Sequence, residues 1–350
     1  NYLDSKKYVQ YIAAIQQIEN DNFADAALTL EPLAGFLDCD SLIPYNNARL
    51  LESQSDIAGA VAIYTELDEF RDASARIQSF EDDYQAASDL LNEGELESAD
   101  SAFKTLANYL DSEKYVQYIA AIQQIENDNF ADAALTLEPL AGFWDTDSLI
   151  RYNNARILES QSDFAGAVAI YEELGEFKDT VDRIQSFDSN YQAASDLLNE
   201  GELESASSAF LSLANYLDSE KYVQYVAAIQ QIENEDFANA ALTLEPLAGF
   251  LVSNSLIRYC NARVLESQSD IAGAVAIYTE LDEFRDASAR IQSFEDDYQA
   301  ASDLLNEGEL ESADSAFKTL ANYLDSEKYV QYIAAIQQIE NDNFADAALT

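Results

Sequence analysis

Several residue types that usually carry chemistry are missing from this sequence or rare in it. It contains no histidine and no methionine, and only two cysteines and four prolines among 350 residues. Without histidine, the chain lacks both the most frequent general base of enzymes and the most frequent metal ligand. Cys39 and Cys260 fall at different positions of the repeat described below, which excludes a disulfide framework as a design principle. Because the sequence does not begin with methionine, we expect it to be an excerpt of a longer chain or a mature fragment.

Basic residues are also scarce. The chain has 18 Lys and Arg against 66 Asp and Glu, which gives a formal net charge of -48. Nucleic acids and anionic membranes are bound by clustered Lys and Arg, so we expect no nucleic-acid partner and no membrane insertion. The acidity keeps a large surface soluble, suits a salty or extracellular fluid, or allows divalent cations to bridge acidic faces. With 48% hydrophobic residues, the chain can still bury a core.

The dominant feature that the sequence does contain is a repeat of 107 residues. Four nearly identical segments follow one another at this spacing without insertion or deletion. A fixed period of this kind is typical of repeat arrays, in which each element buries its apolar face against its neighbours. We therefore expect one continuous solenoid, divided into unit 1 (residues 1–107), unit 2 (residues 108–214), unit 3 (residues 215–321) and a partial unit 4 (residues 322–350).

Each unit contains three weaker sub-repeats that share one apolar pattern. Counted from the first apolar residue of each set, further apolar residues follow at positions +3, +7 and +10. These offsets place all four residues on one face of an α-helix. Consecutive patterns lie 34, 39 and 34 residues apart. In unit 1 the three sets are Phe23, Ala26, Leu30 and Leu33; Ile57, Ala60, Tyr64 and Leu67; and Leu96, Ala99, Phe103 and Leu106.

A second amphipathic segment precedes each of these patterns, and turn residues such as Gly94 separate the two. This arrangement predicts antiparallel helix hairpins, about nine to ten of them in a row. The 39-residue step carries five extra residues near Phe80. They predict one longer helix over residues 73–92, or alternatively a kink near Ser79. Three hairpins then form the 107-residue super-unit.

An aromatic residue followed two positions later by aspartate links successive hairpins. We predict that Asp111 is the N-cap of the next helix, where its carboxylate would accept bonds from free backbone N–H groups. In the first sub-repeat, Asp40 and Ser41 are predicted to take this role. Pro44 would then fall in the first helical turn, where proline is tolerated.

The third sub-repeat resembles the second helix of the tetratricopeptide family. The matching residues are Gly94, Leu96, Ala99, Phe103 and Ala107, and the 34-residue step matches as well. The first helix departs from the family, because Ala86 and Ala87 stand at the Leu-Gly positions. The linkers resemble divergent repeats of secreted or surface proteins of Gram-positive bacteria. The resemblance implies a right-handed superhelix of helix pairs, and it carries over no catalytic residue.

A search for chemical sites gives no candidate catalytic, cofactor-binding or metal-binding residue. The acidic segment from Glu126 to Asn129 lacks the glycine and the terminal glutamate of a calcium loop, so we interpret it as a hairpin turn. Ser112 and Lys114 form a conceivable Ser-Lys pair, but they repeat in every unit beside an aspartate cap. We expect the 21 tyrosines to pack between hairpins. The chain is therefore not expected to be an enzyme.

Differences between the units fall mostly at predicted loops and exposed positions, as at Leu37, Trp144 and Leu251. No unit stands out as a special binding site. We therefore expect a structural protein, an extracellular filament or cell-surface stalk in which the repeats or copies of the chain stack on themselves. Divalent cations or a glycan stay open as further partners. The alternative is a tetratricopeptide-type scaffold whose concave face binds peptides.

Overall fold

The computed structural model describes residues 2–341, with side chains described from residue 5 onwards. The predicted segment at residues 342–350 of the partial unit 4 lies outside the described residues. Within residues 2–341 the chain consists of α-helices, three short 3-10 helices and turns, with no strand. The all-α prediction is therefore confirmed.

The helices follow one another in pairs. In unit 1 they are α1 (Tyr2–Glu19), α2 (Phe23–Leu30), α3 (Cys39–Ser53), α4 (Ile57–Leu67), α5 (Ala73–Asn92) and α6 (Leu96–Leu106). In unit 2 they are α7 (Ser112–Glu126), α8 (Phe130–Leu137), α9 (Thr146–Ser160), α10 (Phe164–Leu174), α11 (Thr180–Asn199) and α12 (Leu203–Ser212). Then follow α13 (Ser219–Glu233), α14 (Phe237–Leu244), α15 (Ser253–Ser267), α16 (Ile271–Leu281), α17 (Ala287–Glu307), α18 (Leu310–Leu320) and α19 (Ser326–Glu340).

The helices group into two compact parts, Asn1–Ile157 and Leu158–Thr350. In the first part consecutive helices pack together from α1 through α8, and in the second part from α10 through α19. This order confirms the predicted array of helix pairs. The right-handed superhelix and the six-helix geometric unit stay predictions.

The apolar pattern of the sub-repeats forms the core. The alanines at the second position, Ala26, Ala60 and Ala99, are fully buried, as are Tyr64 and Phe103 behind them. An alanine here lets the neighbouring helix approach closely, and the large residue one turn later fills the space beside it. Burying one such large side chain contributes about 1.5–3 kcal/mol.

The turns inside the hairpins use the left-handed backbone region. Gly94 has φ +82, and the non-glycine residues Asp21, Ser55 and Asp128 have φ between 58 and 64. At α4 the carboxylate of Asp56 accepts a bond of 3.0 Å from the Gly59 N–H. A Cβ at Gly59 would lie 2.6 Å from that carboxylate, so a larger residue here would have to displace the capping side chain.

The long helix of the third hairpin is continuous. α5 runs unbroken through Ser79 from Ala73 to Asn92, as predicted. In contrast, the second helix of the first hairpin ends early, because Pro32 has no N–H to continue the α-helical bonding. The segment Glu31–Leu33 is a 3-10 helix instead, and it still buries Leu33 completely.

The predicted aspartate caps are wrong in their bonding. Asp111 is the N-cap residue of α7, but its side chain makes no capping bond. Its φ/ψ of -96/18 lies outside the extended region that N-caps usually adopt. Its carboxylate lies 2.8 Å from the ammonium of Lys114 instead. Asp72 likewise occupies the N-cap position of α5 without a side-chain cap.

The prediction for the start of α3 is also wrong. The N-cap is Asp38 and not the predicted pair Asp40 and Ser41, so the helix begins at Cys39. Asp40 therefore lies in the first turn, and its carboxylate accepts a bond of 2.8 Å from the Gly35 N–H. Pro44 consequently lies in the second turn of α3, inside the helix.

Candidate functional site

The residues singled out for chemistry do not converge on one place. The carboxylate of Asp128, in the calcium-like turn, accepts a bond of 2.9 Å from Arg156. Ser112 is fully buried, and Lys114 is bonded to Asp111. Among the described residues, no three His, Cys, Asp or Glu side chains meet in a way that could hold a metal ion. No helix within residues 2–341 combines the length and the apolar character of a membrane span.

Both cysteines are buried free thiols. Burial raises the pKa of Cys39 and raises that of Cys260 to about 11. Since the thiolate is the reactive form, neither thiol is activated for nucleophilic chemistry.

The most distinctive polar groups lie between hairpins. In unit 1, hairpin 1 is α1–α2, hairpin 2 is α3–α4 and hairpin 3 is α5–α6, and the same numbering applies to the later units. The boundary between hairpins 2 and 3 holds a network of polar side chains, which we name the charged junction. Its members in unit 1 are Tyr45, Glu52, Tyr64, Asp72 and Arg76.

The charged junction joins three helices through two carboxylates. The Tyr45 hydroxyl donates to Asp72 at 2.5 Å, and the Tyr64 hydroxyl donates to Glu52 at 2.8 Å. Arg76 bridges both acids, since its Nη1 lies 2.7 Å from Glu52 and its Nε lies 3.0 Å from Asp72. Arg76 and Glu52 keep only about a quarter of their side-chain surface exposed, at 24% and 23%. Partial burial strengthens such charge-assisted bonds.

The same network recurs in unit 3. Tyr259 donates to Asp286 at 2.6 Å, and Tyr278 donates to Glu266 at 2.8 Å. Arg290 lies 2.8 Å from Glu266 and 2.9 Å from Asp286. In unit 2 the corresponding Arg183–Glu159 pair lies at 2.9 Å. The charged junction is therefore a regular part of the repeat.

These contacts shift the pKa values of the junction. Burial on its own would raise the pKa of the Asp72 carboxyl, but the bonds from Tyr45 and Arg76 hold it below its usual value. The pKa of Asp286 is lowered in the same way. Burial and the bond to Glu52 raise the pKa of Tyr64. The Tyr64 phenol is therefore a neutral donor, and Asp72 and Asp286 are charged acceptors at neutral pH.

The boundary between hairpin 3 and the next hairpin 1 is built from rings, and we name it the aromatic junction. Phe103 of α6 stacks on Tyr115 of α7 with 4.7 Å between ring centroids, and Tyr84 meets both rings edge-on. The stack recurs as Phe210–Tyr222 at 4.4 Å and Phe317–Tyr329 at 4.8 Å. Among the described residues of unit 1 and the start of unit 2, no ion pair joins α5 or α6 to α7.

An asparagine holds the end of hairpin 3 to hairpin 2. Asn108 donates to the Asp56 carboxylate at 2.7 Å, and its own side-chain oxygen accepts from the Ala58 N–H at 3.0 Å. The pairs Asn215–Asp163 and Asn322–Asp270 repeat this contact at 2.7 and 2.6 Å. The contact joins residues 52 positions apart. Sequence reasoning missed it, although the asparagine opens every repeat segment.

The linkers between hairpins expose apolar residues in an unusual backbone conformation. The residue between the aromatic and the aspartate has positive φ throughout, as at Leu110 with φ 49. Six of these residues are exposed apolar side chains, and each exposes more than half of its surface: Leu37, Leu110, Trp144, Leu217, Leu251 and Leu324. Packing against Tyr115 and Tyr118 covers part of the Trp144 ring.

Grooves lie between neighbouring helices in the part of the chain that the structure describes. An apolar groove of about 350 Å³ runs between α8 and α9, and Ala134, Leu135 and Ile150 are among its lining residues. A polar groove of about 610 Å³ lies between α12 and α13, with Glu204 and Glu233 in its wall.

Comparison with known proteins adds little to this description. The sequence matches no protein-family model and no curated protein. Among solved structures it is similar to the crystal structure of the P58(IPK) TPR domain, with 12% identity over 96% of this chain and 99% of that chain, and a TM-score of 0.21. The contacts between consecutive helices show an array of helix pairs, and the tetratricopeptide likeness stays a resemblance of sequence.

Proposed function

We propose that this protein is structural, and that its units stack continuously to form an extracellular filament or cell-surface stalk. The observation that carries the proposal is the recurrence of the same junctions along the chain. The aromatic stack is seen three times, and the asparagine contact also three times. Each unit therefore contacts the next unit through the same kind of interface through which it contacts the preceding one.

Repeated interfaces of this kind suit a fibre. An interface that joins two different faces and does not close into a ring can be extended indefinitely. In a repeat array the stability is roughly the sum of the units and their interfaces, so length can grow without a new core. The formal charge of -48 supports the same use, because repulsion between acidic surfaces keeps long assemblies apart in solution.

A protein-binding scaffold is the second candidate. The apolar groove beside Leu135 supports it, because Leu135 leaves 70% of its surface exposed there. Leu28 and Leu242, at the same position of the other units, expose 71% and 62%. A peptide with apolar side chains at matching spacing would cover such positions.

Electron microscopy of the native material separates the two candidates. We expect long uniform fibres with an axial repeat that corresponds to one 107-residue unit. Short particles of discrete length would contradict the filament. In that case, binding of labelled apolar peptides should be compared between the chain and a Leu135→Glu variant, with Leu110→Glu as the matched control outside the groove. Loss of binding only in the Leu135 variant would support the scaffold.

A further inference from the structure

We propose that the contact between hairpins 2 and 3 at the charged junction is sensitive to acid. Protonation of its carboxylates loosens this contact, while the aromatic junction stays closed. Each unit would then open at one boundary and hold at another. This inference goes beyond the proposed structural role, and it does not depend on whether the array forms a fibre.

Apart from the Asn108–Asp56 contact, the polar contacts of this boundary lie on two carboxylates. Asp72 accepts from Tyr45 of α3 and from Arg76 of α5, while Glu52 accepts from Tyr64 of α4 and from Arg76. A protonated carboxyl group loses its attraction for the guanidinium and offers one acceptor fewer. Protonation therefore weakens both bonds that cross the boundary, Tyr45–Asp72 and Arg76–Glu52, and leaves the half-buried Arg76 without a counter-charge.

Two further arginines lie near the network, and one of them, Arg49, also pairs with Asp21 at 3.1 Å. On α3, Arg49 lies 3.5 Å from Glu52. In the linker, the guanidinium of Arg71 lies 5.4 Å from the centre of the Tyr45 ring. In unit 3, Arg263 and Arg285 take these places, at 3.3 Å from Glu266 and 5.4 Å from the Tyr259 ring. With the carboxylates neutral, these cations would repel Arg76 and Arg290, which further favours opening.

The sign of the pH effect follows from the aspartates. A carboxyl group whose pKa is lower in the folded state contributes stability above its unfolded pKa, which is about 3.9 for aspartate. That contribution is lost as the pH falls through the lower, folded value. Asp72 and Asp286 both have lowered pKa values, so the charged junction should loosen below about pH 4.

The ring contacts of the aromatic junction have no such dependence, although in unit 2 the linker residue Tyr216 also donates to Asp188 at 2.6 Å. The pKa of Tyr84 is raised to about 12, so its phenol stays neutral from acidic to neutral pH. General repulsion changes in the opposite direction. Protonation of the 66 acids leaves at most the 18 basic charges, a smaller net charge than -48. Acid therefore relieves repulsion over the whole chain, and its destabilising effect is confined to carboxylate-centred contacts.

A single carboxylate bond does not make such a junction. Between hairpins 1 and 2 of unit 1, the Tyr11 hydroxyl donates to Asp38 at 2.7 Å. At the corresponding position of unit 3 the aspartate is replaced by Val252, yet α14 and α15 still pack together. That bond is thus dispensable, whereas the complete network of the charged junction is present in both unit 1 and unit 3.

Hydrogen exchange on the complete 350-residue chain tests the proposal. Exchange would be measured at pH 7 and pH 3, corrected for intrinsic rates, and read on peptides by mass spectrometry. We expect protection at the start of α5 and α17 to decrease at pH 3, because the stability contributed by Asp72 and Asp286 is lost as they are protonated. Protection at the start of α7 should stay within about twofold.

A variant with Glu52→Gln and Asp72→Asn gives the matched control. Its amide groups still accept bonds from the two tyrosines but cannot be protonated in this range. The protection of α5 should then be nearly the same at both pH values, while α17, with Asp286 intact, keeps its loss and shows that the chain is folded. Equal loss at α5 and α7 in the natural chain, no loss at α5, or an unchanged loss in the variant would each overturn the proposal.

Discussion

At the end of α4, Asp68 occupies a backbone conformation that favours glycine. Its φ/ψ is 53/-119, which is the first central position of a type II′ turn. The residue at this position of unit 2 is Gly175, with φ/ψ 62/-124. A Cβ at Gly175 would meet no atom within 4 Å, so the strain is in the backbone and not in the packing.

We therefore predict that Asp68→Gly stabilises the chain by about 1 kcal/mol, the lower range for a residue held in such a region. Urea unfolding followed by circular dichroism would measure the change. The matched control is Gly175→Asp, which should lower the midpoint by a similar amount. A lower midpoint for Asp68→Gly would show that the aspartate side chain contributes more than the strain costs.

The asparagine contact supplies a second prediction at the residue scale. Asn108→Ala removes the bond to Asp56 and the acceptor for the Ala58 N–H, and we expect a loss of about 1–2 kcal/mol. The control is Asn127→Ala, because Asn127 bonds only to the carbonyl of Gln123 in its own helix. If both variants unfold at the same urea concentration, the Asn108 contact does not hold hairpins 2 and 3 together.

Helix α5 allows a test at the scale of one element. Proline at Ser79 would remove a helical N–H bond and clash with the carbonyl of the preceding turn, so Ser79→Pro should cost about 3 kcal/mol or more. Ser79→Ala keeps the helix and should leave the stability nearly unchanged. The two variants are compared by thermal unfolding. A harmless proline would mean that α5 is already broken there in solution.

Features that depend on residues close together in the sequence could be predicted, and features that depend on distant residues could not. Apolar spacing predicted the helices and their buried faces, because a face such as Ala99 and Phe103 repeats within one helical turn. The bonding of Asp72 was not predicted, because its acceptor role depends on Tyr45, which lies 27 residues earlier on another helix. Local capping rules cannot reveal such a partner. The 3-10 segment at Pro32 could have been predicted, since its signal is the proline itself.

The same distinction separates the two kinds of junction. The sequence predicted that tyrosines pack between hairpins, but it did not predict that Tyr115 stacks on Phe103. The bonds of the charged junction form only when side chains from three helices, α3, α4 and α5, have been brought together. Its recurrence at Asp286 and Arg290 is the feature that makes it recognisable as part of the repeat.

At the scale of the whole molecule, the charge of -48 governs the response to salt. Exposed like charges repel over about 30 Å at 0.01 M salt and about 10 Å at 0.1 M. The charged junction is partly buried, so salt screens its ion pairs less than it screens the surface. We therefore expect the Tm to rise by several degrees when sodium chloride is raised between these concentrations.

Divalent cations provide the control for this prediction, because they separate screening from binding. At matched ionic strength, calcium chloride should raise the Tm no more than sodium chloride, since no described group of acidic side chains is arranged to hold a metal ion. A larger rise with calcium would favour cation bridges between acidic faces. A Tm that falls with added salt would mean that surface ion pairs, such as Lys104–Asp100, outweigh the repulsion between the remaining carboxylates.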